Sequence, residues 1–88
     1  MRPLEQIKDP NALSVLSAVR ERDMEGGSLV SVTGLKLAEL EAALKELLEK
    51  RLIAIRGATS GPRLNDSYIY VPLQAKGYVD VYLGRTLS

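Results

Sequence analysis

The stretch KLAELEAALKELLEKRLIAIR, residues 36–56, decides how this chain is read. Leu37, Leu40, Leu44, Leu47 and Leu48 recur at i, i+3, i+7, i+10 and i+11, one stripe of a 3.6-residue helix. Ala38, Ala42 and Ala43 favour the helical backbone because their side chains lose no rotamer freedom in it. Charged residues fill the other faces, and Glu41–Lys45 and Glu46–Lys50 stand four apart in the favoured order. Lys50 and Arg51 place positive charge at the negative end of the helix dipole. The pattern then changes period: Leu52-Ile53-Ala54-Ile55-Arg56 reads as a strand.

Downstream, residues 58–66 (ATSGPRLND) form a loop with a Gly-Pro tip and an Asn-Asp turn, expected to be mobile and to reach outward. Residues 67–73 (SYIYVPL) alternate Tyr68 and Tyr70 with Ile69 and Val71, the mark of a returning strand, and Pro72 sets its end. The tail, 74–88, reads two ways. As a helix it aligns Tyr78, Val79, Tyr82 and Leu83; as a strand it puts Val79, Val81 and Leu83 on one face. Local propensity favours the strand, and Gly84 weakens the helix.

Upstream, Asp9 is suited to cap a helix and Pro10 to its first position, where no N–H is needed. Ala12, Val15, Leu16 and Val19 make its stripe, widened by Leu13, and Glu25-Gly26-Gly27 is read as its stop. Residues 28–34 (SLVSVTG) fit a very short helix or, through Val30, Val32 and Thr33, an extended piece. Leu16, Val19, Leu37, Leu40, Leu44, Leu47 and Ile53 are the expected core.

Composition limits the function. At 88 residues, 45% hydrophobic and 26% charged, the chain is expected to form one globular α+β domain spanning 1–88. It has neither His nor Cys. That rules out a Ser-His-Asp triad, a Cys nucleophile and an HExxH zinc site. There is no phosphate-binding Gly-rich motif, so neither catalysis nor a cofactor or metal is expected, and a binding module is the default. The apolar runs are too short to span a bilayer, and the first ten residues lack a signal-peptide core. Cytoplasmic residence, without disulfides, is the expectation.

From Thr33 to Ile53 the chain resembles the winged helix-turn-helix domains of small prokaryotic transcriptional regulators, the MarR-like and PadR-like kind. The resemblance rests on Thr33-Gly34-Leu35, on the Glu39-Leu40-Glu41-Ala42-Ala43-Leu44-Lys45-Glu46-Leu47 run and on Leu52-Ile53. Arg51 stands where the family pattern has Gly, a departure that ordinary helical or bridge dihedrals would accommodate. Tyr70-Val71-Pro72-Leu73-Gln74-Ala75-Lys76-Gly77 resembles the segment that closes the wing hairpin, with Gln74 in place of Thr. The resemblance covers about Asp9 to Gly77 and implies a terminal helix for the tail. It also implies binding of double-stranded DNA, with the 36–50 helix in the major groove and the hairpin on the backbone. On that reading Lys36, Glu39, Lys45, Arg56 and Arg63 are the DNA-binding residues, Glu39 as an acceptor for a cytosine amino group. A homodimer through the chain ends is expected, because Leu4, Ile7, Tyr78, Val79, Tyr82 and Leu83 exceed what a small core buries.

Charge tempers this. Residues 23–51 hold the acids Asp23, Glu25, Glu39, Glu41, Glu46 and Glu49 against Lys36, Lys45, Lys50 and Arg51. Residues 52–88 hold Arg56, Arg63, Lys76 and Arg85 against Asp66 and Asp80, and the whole chain carries only +1. The alternative is a winged-helix module that docks another protein and binds no DNA.

Overall fold

Asp9 begins the first helix as expected. In the computed structural model, which describes residue 7 and residues 9–87, its carboxylate accepts from the Asn11 N–H at 2.9 Å. Pro10 follows at the first turn of helix α1, Pro10–Glu21. Ala12, Val15, Leu16 and Val19 are all buried, so the stripe read from the sequence is the core face.

Residues 24–27 do something other than stop a helix. Met24–Glu25 form strand β1, and Gly26 opens helix α2, Gly26–Thr33. A Cβ on Gly26 would lie 2.0 Å from the backbone oxygen of Leu64, so the chain passes there only because the residue is glycine. The Gly-Gly pair therefore marks a close backbone approach, which sequence cannot distinguish from a stop signal. Of the two readings of 28–34 the helix holds: α2 starts two residues earlier, buries Leu29, and ends at Gly34 in the left-handed region (φ 73°).

Helix α3, Leu37–Glu49, buries Leu40, Ala43, Leu44 and Leu47, while Leu37 and Leu48 are partly buried against the same core. Its end corrects one expectation. Arg51 has φ 61°, the left-handed conformation that suits glycine, not helical or bridge dihedrals. The Arg51 N–H donates to Leu48 O and the Leu52 N–H to Leu47 O, both at 3.0 Å. These are the two bonds of a Schellman cap, and Leu52 and Leu47 are both buried, as that cap favours.

Two short strands follow, β2 at Ala54–Arg56 and β3 at Tyr68–Tyr70, narrower than the 52–56 and 67–73 read from the sequence. The sheet is antiparallel with β3 in the centre, in the order β1-β3-β2. Met24 and Ile55 both pair with Ile69 on the core side; Glu25 and Arg56 both pair with Tyr68 on the other. Helix α4, Leu73–Leu87, buries Ala75, Val79 and Leu83. Burial at i, i+4 and i+8 outweighs the strand propensity of Val79, Tyr82 and Leu83. Arg20 of α1 donates to Asp80 of α4 and ties the two helices.

The architecture is thus α+β: four helices and a small three-stranded antiparallel sheet among the described residues, around one hydrophobic cluster. No helix among them is long and apolar enough to cross a membrane. Val79 and Leu83 lie in this core and Ile7 packs against it, so these three are not surplus apolar surface for a partner. Leu73, Tyr78 and Val81 of α4 do remain exposed. The expectations placed on Leu4 and on the Tyr82 side chain lie outside the described residues.

Candidate nucleic-acid interface

The exposed side of α3 and the hairpin that follows it form the candidate surface. Lys36 is the residue immediately before α3 and is exposed, beside the N–H groups of the first helical turn. Glu39 lies one turn on, and its carboxylate accepts from the Lys36 backbone N–H at 2.9 Å. It therefore satisfies one of the helix's free donors, as in a capping box, a role the sequence reading did not give it. Lys45 is exposed two turns further along. It lines a shallow groove of about 540 Å³ with Ala38, Glu41 and Ala42 of α3 and with Thr59 and Ser60 of the hairpin loop.

The loop does not extend away from the domain. Pro62–Asp66 close into a 3₁₀ turn, and Leu64 is fully buried. Ser67, also buried, donates its hydroxyl to Ala58 O at 2.5 Å and closes the loop base. The Gly61 N–H donates to the Glu41 carboxylate at 2.7 Å, pinning the loop tip to α3. The expected outward-reaching loop is thus replaced by one folded onto its own helix, because Leu64 finds a place in the core. Glu41 was expected to pair with Lys45 on the helix surface; it serves the loop instead. Nothing in the local sequence signals that partner, 20 residues away. The second expected pair is present, with Lys50 Nζ 3.9 Å from Glu46.

Arg56 ends β2 and Arg63 sits in the 3₁₀ turn; both are exposed. Among the described residues, Lys36, Lys45, Arg56 and Arg63 form no salt bridge. The groove along α3 gathers Lys45 alone of the five candidate residues. Three acids on this helix have internal work by contrast: Glu39 caps, Glu41 holds the loop, and Glu46 accepts from the Asp9 N–H at 3.3 Å.

Tyr68, not among the five candidate residues, stands on the outer face of the sheet between Glu25 and Arg56. Its hydroxyl donates to Asp23 at 3.2 Å, and its ring centroid is 6.0 Å from that of Tyr70. Partial desolvation, then the charge and hydrogen bond of Asp23, push this hydroxyl above the usual phenolic range. No protein-family model matches the chain, and no curated protein matches it.

Proposed function

We propose that the chain is a winged helix-turn-helix protein that binds duplex DNA as a homodimer and regulates transcription. The observation that carries this reading is the element order α1-β1-α2-α3-β2-β3 with β3 central in the sheet, which is compatible with a winged helix. It includes a two-residue β1 that the sequence pattern alone does not reveal. On this reading α3 enters the major groove, with Lys36 at its positive end and Lys45 along its free side. Arg56 and Arg63 grip phosphates from the hairpin. Acids outnumber bases along α3, so affinity of a single protomer is low, and a second protomer doubles the phosphate contacts. The exposed Leu73, Tyr78 and Val81 of α4 are the surface offered to that second copy.

The test is a shift assay with random duplex DNA at low salt, repeated over a salt series. Replacing Arg56 and Arg63 by Ala weakens all sequences alike and lowers the salt slope by about one for each lost contact. If the double variant keeps wild-type affinity and slope, or wild type binds no duplex at low salt, the reading fails. A module that docks protein through α3 then takes its place; the loop pinned by Glu41 and the acids on α3 are the observations that favour that alternative.

A further inference from the structure

A second surface shares no lining residue with the α3 groove. Leu13, Ser14, Ser17 and Ala18 of α1 face Val32 of α2 across a hollow of about 700 Å³, with Met24 also lining it. A second hollow of about 470 Å³ shares Arg22, Met24 and Val32 with the first and reaches Tyr68 on the sheet. Leu13, Ala18, Met24 and Val32 supply the apolar part of the lining. Val32 is 64% exposed although it is β-branched, apolar and on a helix only eight residues long, and Tyr68 is 41% exposed. Ser14, Ser17 and Ala18 are small enough to let another backbone come close.

The edge of the hollow has a sign. Glu21, Asp23 and Glu25 line it against a single base, Arg22. Neither Glu21 nor Glu25 forms a salt bridge among the described residues. An apolar floor with an acidic edge complements a helix that carries aliphatic anchors on one side and Lys or Arg beside them.

We propose that the α1–α2 groove docks a short basic amphipathic helix of another protein. Residues 13 to 21 of α1 span about 12 Å at 1.5 Å per residue, so the groove takes two to three turns of a partner helix. The anchors of that helix cover Val32, Met24 and Leu13, and its basic flank meets Glu21, Asp23 and Glu25. The proposal stands apart from DNA binding, since none of the five candidate DNA residues lines this groove.

The test uses the full chain, labelled with ¹⁵N, and a synthetic 14-residue amidated peptide with Leu at helix-face spacing and Lys elsewhere. Two control peptides replace Lys by Glu, or Leu by Ser. The expected result is a set of amide shifts confined to residues 13–33 and Tyr68, with micromolar affinity for the Lys-Leu peptide alone. Val32→Glu weakens binding at least tenfold. Glu21→Lys with Glu25→Lys weakens it at least fivefold and lets the Glu-Leu peptide bind. Circular dichroism checks that each variant is folded, and Val32→Thr, which keeps the shape and removes apolar surface, gives a milder loss if Val32→Glu does not fold. Three results overturn the proposal: shifts centred on α3 or α4, equal binding of the Lys-Ser peptide, or wild-type affinity in the Val32 and acid-swap variants. Self-association of the chain through this groove, seen as loss of the dimer in Val32→Glu on sedimentation, also overturns it.

Discussion

Helix α3 and the hairpin behind it are neighbours in sequence and in space, yet they are held by different means. In α3 the contacts repeat. Leu40, Leu44 and Leu47 enter the core one turn after another, and each is fully buried. In the hairpin each contact occurs once. Leu64 fills one core position, Ser67 closes the loop base, Glu41 pins the tip, and Gly26 makes room for the Leu64 carbonyl. A repeated contact leaves a period that can be read from residue types. A single contact between residues 20 or 40 apart leaves none. The same contrast sets the energetics: loss of one leucine opens a cavity in a shared core, whereas loss of one hairpin contact frees a segment whose ends stay fixed.

The sharpest challenge to this contrast is Leu44→Ala. The residue is fully buried at the centre of the stripe, so the change is expected to lower stability by about 2–5 kcal/mol, read from the urea midpoint at constant m. A cost below about 1 kcal/mol means that α3 is not anchored as described.

Gly26→Ala comes next. Alanine in place of glycine at the first position of α2 favours the helix by less than the roughly 1 kcal/mol of a helix interior. The Cβ placed 2.0 Å from Leu64 O opposes this, and overpacking of that kind costs about 1–3 kcal/mol. A net loss of stability with shifted Leu64 and Asn65 amides is expected. A net gain shows that the hairpin yields freely and is not held at this point.

Arg51→Gly runs the other way. Arg51 occupies the left-handed cap position at a cost of about 1–2 kcal/mol to a residue with a Cβ. Glycine removes that cost and adds unfolded-state entropy, so a net gain of about 0.5–1 kcal/mol is expected. A thermal melt measures it, and a loss of stability shows that the Arg51 side chain itself holds the helix end.

The smallest effect belongs to the tie between α1 and α4. The hydrogen bond from Arg20 is the main cause that holds the Asp80 carboxyl below the usual carboxylate range, and the charges of Arg20 and Lys76 add to it. The same bond raises the Arg20 guanidinium further. A carboxylate with a depressed folded pKa contributes stability that is complete above its unfolded value, about 3.9. That contribution is lost as the pH falls through the lower folded value. Wild type therefore loses a little more stability than Asp80→Asn between about pH 5 and pH 2, because the amide side chain of the variant does not titrate. Both partners are well exposed, so the difference is slight and shrinks with added salt. Identical acid limbs show that the tie does not hold α4.

The candidate site follows the same division. Lys36, Lys45, Arg56 and Arg63 were legible as exposed cations because a core stripe fixes which faces of a helix or hairpin meet water. The tasks of Glu39 and Glu41 were not, since a carboxylate on a helix surface reads the same whether it caps, pairs or holds a loop. The groove beneath Val32 was not legible either, because it depends on how α1 and α2 cross.

Residue types alone are enough for the two long stripes, the Asp9 cap, the change of period after Arg51 and six of the seven expected core residues as buried, with Leu37 at the margin. Each rests on interactions within four residues, which residue types record directly. Long-range packing settles that Met24–Glu25 join the sheet and that 58–66 fold inward, and it makes the tail helix α4, as the family resemblance implies and against local propensity. In each case local preference is weak or opposed. A distant surface settles the matter: Ile69 for β1, the core around Leu64 for the loop, and the buried row Ala75, Val79 and Leu83 for the tail.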